Sequence, residues 1–140
     1  MDTSGVHIWL VLWKAYEACR EHAEGSIENT GLCYSDFAIL ELLLHKGATP
    51  VNTIGQKISL TSSSSTAAID RLEERGLVER GFSETDRRAR IVSLTAAGRK
   101  LISGAFRKHQ QDLEEFASVL TVAERKVLLG LLKKLGKQES

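Results

Sequence analysis

Residues 62–94 constrain the fold more than any other stretch of the chain. Their apolar spacing changes from helical to alternating within a few residues. In 62–75, Ser62-Ser63-Ser64-Ser65-Thr66-Ala67-Ala68 leads directly into Ile69 and Leu72, one face of a helix that Gly76-Leu77 stops. Residues 77–81 and 89–94 then read as two strands, with Val78 in one opposite the β-branched Ile91 and Val92 in the other. Between them, Phe82-Ser83-Glu84-Thr85-Asp86-Arg87-Arg88 forms a polar hairpin tip with paired arginines. A serine run alone could be a flexible linker. Here the helical face that follows it, and the glycine stop, make it the start of a helix.

The rest of the chain supplies helices around this unit. Residues 6–24 place Ile8, Leu12, Ala15 and Cys19 at three- and four-residue spacing, widened by Trp9, Trp13 and Tyr16. Gly25 and the polar run 26–31 should loosen or end this helix. Ser35 is expected to cap a second helix over 36–46, with Phe37, Leu40, Leu43 and Leu44 inward and Gly47 as its stop. Thr49-Pro50 should open a third, short helix, Thr as cap and Pro at the first helical position, with Val51, Ile54 and Ile58 inside. After a turn at 59–61 come the serine helix and the hairpin. Thr95 caps a long helix over 96–119, with Leu101, Ile102, Ala105, Phe106, His109, Leu113 and Phe116 on one side. Thr121-Val122-Ala123-Glu124 is a capping box for a last helix with Val127, Leu128, Leu131, Leu132 and Leu135 inward.

With 140 residues, the chain suits one domain. The fold class is mainly α: a winged helix-turn-helix, helices plus a two-stranded β-hairpin wing, flanked by N- and C-terminal helices. A recognition helix of this kind enters the major groove of double-stranded DNA, where Ser and Thr hydrogen-bond to base edges or phosphates. Wing arginines would reach an adjacent minor groove.

The formal net charge of +1 argues against a polybasic nucleic-acid coat, but it hides an asymmetry. Residues 1–45 hold two bases and seven acids, a balance of −5. Residues 46–100 hold ten bases and six acids, a balance of +4. A basic middle third is the footprint expected of one DNA-facing surface. Chance scatter of solvated charge is the bland alternative.

The longest apolar run near the N-terminus, 6–13, contains His7 and meets Lys14. It is far short of the roughly 20 residues that span a membrane, so no membrane association is expected. Two cysteines are too few for a disulfide framework, and a reducing cytoplasm is the expected location. No nucleophile–base motif, phosphate loop or metal-ligand spacing appears, so no enzyme activity, cofactor or metal is expected.

Two motifs carry a family resemblance. One is Asp70-Arg71-Leu72-Glu73-Glu74-Arg75-Gly76-Leu77-Val78-Glu79-Arg80. The other is Asp86-Arg87-Arg88-Ala89-Arg90-Ile91-Val92-Ser93-Leu94-Thr95-Ala96-Ala97-Gly98. At these residues the chain resembles the MarR family of bacterial transcriptional regulators, and the likeness runs from Trp9 to about Leu135. The resemblance implies a single domain over 1–140, with a winged helix-turn-helix at about 34–95 and dimerisation helices at about 6–28 and 96–136. It implies a homodimer on a pseudo-palindromic operator, a repressor released by a small aromatic or anionic effector. Carried over residue by residue, Ser62, Ser63, Ser64 and Thr66 match the exposed start of the recognition helix. Arg88 matches the wing arginine of the minor groove, and Asp86 the acid that orients it. Arg87 and Arg90 are candidate phosphate contacts. The chain departs from the family's pattern at Ala67, where a long polar residue is common, so reading there rests on apolar contact with a thymine methyl. It departs again at Ser65, where an apolar residue is common.

Arg71 and Arg75, beside Glu74 and Glu79, read as structural ion pairs. Trp9, Trp13, Tyr16, Tyr34, Phe37 and His45 are the side chains an aromatic effector could stack on, with core and dimer packing as the plainer role. Two rivals remain: a redox-responsive regulator using Cys19 or Cys33, and a winged-helix module that binds protein rather than DNA. Cys33 has no basic neighbour in sequence, and Cys19 lies on an apolar face.

Overall fold

A computed structural model describes residues 1–85 and 90–137. The elements are α1 (Gly5–Ile27), a 3-10 turn (Glu28–Thr30), α2 (Tyr34–Lys46), β1 (Thr49–Pro50), α3 (Val51–Lys57) and α4 (Ser62–Glu74). They are followed by β2 (Val78–Phe82), β3 (Arg90–Leu94), α5 (Ala96–Ala117) and α6 (Val122–Gly136). The strands form one antiparallel sheet in the order β1-β3-β2.

α1 runs through Gly25 to Ile27 instead of ending near Glu24. Tertiary contact overrides the glycine: Ile27 is buried, and the Ser26 hydroxyl donates to the Ala23 carbonyl at 2.7 Å. The Ser26 oxygen also hydrogen-bonds the buried His109 Nδ1 of α5 at 2.7 Å, which pins the end of α1 to α5. α2 starts earlier than expected, with Cys33 and not Ser35 at the cap position. Its inner face holds Phe37, Leu40 and Leu43 as expected. Ile39 is buried beside them, and Leu44 is only half-buried.

Thr49-Pro50 is a strand, not a helix start. Thr49 pairs with Val92 and Pro50 with Ile91, and Pro50 keeps extended backbone as it hands over to α3. Proline fits because β1 is an edge strand, where a missing donor costs little. Within the helix-turn-helix, Gly55 of α3 and Ser65 of α4 touch. A Cβ on Gly55 would sit 2.7 Å from the Ser65 hydroxyl and 3.3 Å from the Leu60 carbonyl oxygen. Ser65 is therefore buried where an apolar side chain is common in the family, and its hydroxyl is satisfied by donating to the Thr61 carbonyl at 2.9 Å.

The end of α4 is a Schellman motif. The Leu77 N–H donates to the Leu72 carbonyl and the Gly76 N–H to the Glu73 carbonyl, with Gly76 at φ 72°. α5 docks on this same turn. Thr95 donates through its N–H to the Leu77 carbonyl and through its hydroxyl to the Gly76 carbonyl, and its oxygen caps the Gly98 N–H at 3.0 Å. Gly98 then lies so close that an added Cβ would overlap the Leu77 carbonyl oxygen. The Thr-x-x-Gly signature thus has a steric cause.

The core gathers Phe37, Ile39, Leu40, Leu43, Ile54, Ile69, Leu72, Val78, Val92 and Ile102 within the winged unit and its α5 cover. α6 is different. Its capping box forms as expected, yet no residue of it is buried. Leu128, Leu131, Leu132 and Leu135, expected inward, are exposed in the single chain. Trp9, Trp13 and Tyr16 of α1 are exposed as well.

Two glycines of α5 should respond in opposite directions. Gly98→Ala should destabilise by about 3 kcal/mol or more and lower Tm by on the order of 10 °C. Gly104→Ala, with nothing near its Cβ, should stabilise by about 0.5–1 kcal/mol. Thermal unfolding followed by circular dichroism measures both.

Candidate nucleic-acid interface

α4 exposes a hydroxyl-rich face at its N-terminal half. Ser62, Ser63, Ser64, Thr66 and Ala67 are all exposed, while Ser65, Ala68, Ile69 and Leu72 face the core. The cap is Thr61, expected only as part of a turn. Its oxygen accepts from the Ser64 N–H at 3.1 Å and lies 3.2 Å from the Ser63 hydroxyl. The helix dipole places partial positive charge at this end, where a phosphate would sit.

The C-terminal half of the helix is acidic, and two of its three acids are engaged. Arg80 of β2 spans from the wing to α4, with Nη1 on Glu73 at 2.7 Å and Nη2 on Asp70 at 2.5 Å. Its side chain is mostly buried between them, 18% exposed. One guanidinium thus screens two carboxylates on the recognition helix and fixes the wing against it. The residues are 7 and 10 positions apart, beyond any local spacing rule.

Arg71 and Arg75 are structural as expected, but their partners are not Glu74 and Glu79. Arg71 forks onto Asp36 of α2, Nη2 to Oδ1 at 2.7 Å and Nε to Oδ2 at 3.3 Å. That bonding raises the Arg71 guanidinium above its ordinary pKa. Asp36, foreseen as a first-turn acid, is buried and anchors the recognition helix to α2. Among the described residues Arg75 makes no ion pair. It donates to the Thr30 carbonyl at 3.2 Å and to the Gly31 carbonyl at 3.5 Å, closing the turn after α1.

In the wing, Val78, Arg80 and Phe82 alternate onto one face of β2, paired with Leu94, Val92 and Arg90 of β3. The strands start and end within a residue of expectation. Arg90 is exposed, and its guanidinium carbon lies 5.1 Å from the centroid of the Phe82 ring. Asp86, Arg87, Arg88 and Ala89 lie outside the described residues.

The aromatic candidates for an effector site fall into separate groups, with Tyr34 and Phe37 stacked at 6.3 Å. Phe37 is fully buried, Trp9 and Trp13 face each other at 6.1 Å on exposed α1, and His45 packs against Phe106 at 4.7 Å. Tyr34 is partly open. Its ring is 6.3 Å from His109, and burial pushes its phenol up from the ordinary value. Cys19 is half-buried and Cys33 exposed. Folding gives Cys33 the basic neighbour its sequence lacks, because its thiol lies beside the Arg71 guanidinium. Among the described residues no group of His, Cys, Asp and Glu could hold a metal ion, and no helix is long and apolar enough to cross a membrane.

A hydroxyl-faced helix gripped by a hairpin wing defines a winged helix-turn-helix transcription factor. A profile of the MarR family matches residues 32–89. The HTH-type transcriptional regulator MhqR of Bacillus subtilis is 37% identical over 136 residues, 97% of this chain and 94% of that protein. Two solved structures share the fold. A mutant MarR from E. coli complexed with operator DNA superposes with TM-score 0.82 at 23% identity, covering 96% of this chain and 99% of that one. Bordetella bronchiseptica BpsR, described with regulation of its DNA binding by 6-hydroxynicotinic acid, gives TM-score 0.82 at 24% identity over 94% and 99%. The chain belongs to the MarR family of transcriptional regulators, and it is a DNA-binding protein rather than an enzyme.

Arg80→Gln should uncover Asp70 and Glu73 and lower affinity for duplex DNA by about tenfold at low salt. Adding Asp70→Asn and Glu73→Gln should restore most of the loss. Fluorescence anisotropy titrations of the wild type, the single variant and the triple variant measure this.

Proposed function

We propose that the chain is a homodimeric repressor that binds a pseudo-palindromic operator and is released by a small aromatic or anionic effector. The observation that carries the dimer is the apolar surface on α1 and α6. Trp9 and Trp13, together with Val127, Leu128, Leu131 and Leu135, stay exposed although the winged unit has a closed core. An apolar surface of this extent marks a protein interface. A two-fold axis through these helices at the ends of the chain would present two copies of α4 to DNA, about one helical turn apart. Ser62, Ser63, Ser64, Thr66 and Ala67 then read the major groove. Arg88, oriented by Asp86, enters the minor groove, and Arg87 and Arg90 hold phosphates. The operator-bound MarR supports the DNA mode, and the small-molecule regulation of BpsR supports an aromatic, anionic effector.

The exposure of Cys33 favours a thiol-based trigger as the second reading. Loss of peroxide sensitivity in Cys33→Ser, with effector response intact, would support it.

Leu131→Asp should turn the dimer into a monomer in analytical ultracentrifugation, with operator affinity reduced about a hundredfold or more. Arg88→Ala should weaken operator binding and lower the slope of log affinity against log salt by about one. A dimer unaffected by Leu131→Asp, or an unchanged salt slope, would count against the corresponding part of the reading.

A further inference from the structure

The four phenylalanines divide sharply. Phe37, Phe106 and Phe116 are buried or half-buried, whereas Phe82 is 64% exposed at the end of β2. The fold does not use this ring for its core. What lies over it is Arg90, its partner in the last described pair of the β2–β3 ladder. Alternation along the strands puts Phe82 and Arg90 on the same face as Val78, Arg80 and Val92. That face meets α4, since Arg80 grips Asp70 and Glu73 from it. The Phe82–Arg90 pair therefore continues the recognition-helix side of the sheet outward along the wing.

We propose that Phe82 is a positioning residue for DNA binding, a platform that holds the Arg90 guanidinium over its ring and aims it at a phosphate of the DNA backbone. The chemistry suits the task. A cation–π contact does not use up the five-donor fork of a guanidinium, and the remaining N–H groups can meet phosphate oxygens two at a time. Arginine on a solvated strand otherwise has many rotamers, and holding one of them in the free protein removes part of the ordering cost of binding. The role rests on the reading of Arg90 as a phosphate contact, and the test separates the two.

A backbone contact is independent of sequence, so a duplex of mixed sequence and about 30 base pairs, roughly three helical turns, is a sufficient probe. Affinity is measured by anisotropy at several salt concentrations for the wild type, F82L, F82T, F82W, R90A and F82L/R90A, with thermal melts of each. R90A should lower affinity and reduce the salt slope by about one. F82L and F82T should each lower affinity about three- to fivefold and leave the melt unchanged, while F82W keeps wild-type affinity. In the R90A background, F82L should have no further effect. An equal loss from F82L in both backgrounds would overturn the platform. So would full affinity in F82L and F82T alongside a loss in R90A, and in that case Arg90 still contacts phosphate. If R90A itself binds like the wild type, the phosphate contact fails and the platform with it.

Discussion

The contact between the Leu77 carbonyl and Gly98 organises the molecule. It sits where the recognition helix ends, the wing begins and the long helix starts. Gly76 supplies the left-handed residue that turns α4 into β2. Thr95 then binds both carbonyls of that turn while capping the helix that follows β3. Three elements meet in a space of backbone dimensions, where only a residue without a side chain can stand. Any displacement of α5 at this point moves the wing and the recognition helix with it, because neither has room to adjust alone.

Around that fixed point, arginines set the attitude of α4 from two sides. Arg71 and Arg75 tie it back to α2 and to the turn after α1, and Arg80 ties it forward to the wing. The net charge of the chain is close to zero, yet the helix is electrically polarised. Asp70 and Glu73 are occupied by Arg80 at the C-terminal half, and its hydroxyls and dipole are presented at the N-terminal half. A phosphate backbone approaching this surface meets one favourable end. Pairing acids away on the recognition helix is as much a part of the charge pattern as the excess of bases in the middle third.

What the sequence made legible was local. The Gly76-Leu77 stop, the Thr95 cap, the Thr121–Glu124 capping box and the two wing strands all depend on residues a few positions apart, and all are found where expected. The misses depend on distant partners. Thr49-Pro50 does precede a short helix, but Pro50 is its cap and not its first helical residue, because pairing with Val92 and Ile91 holds both residues extended. Asp36 looks like a first-turn acid until Arg71, 35 residues on, is brought to it. The periodicity of α6 gave its apolar face correctly, but among the described residues that face stays exposed, lining an open apolar groove with Ile8, Val11 and Leu12 of α1. At the interface, the exposure of Ser62, Ser63, Ser64, Thr66 and Ala67 follows from helical spacing. The clamp at Arg80 and the ring at Phe82 do not, because each acquires its role only through a cross-strand or strand-to-helix neighbour.

The close approach of Gly55 and Ser65 limits how this protein can change its target. Among the four consecutive serines, one belongs to the scaffold: a larger side chain at 65 would push α3 and α4 apart and tilt the helix. Its neighbours at 62, 63, 64, 66 and 67 are exposed and carry no such duty. On α4, variation in sequence preference, whether by descent or in the laboratory, is therefore left to these five outward positions. Position 65 sets the frame in which they are displayed.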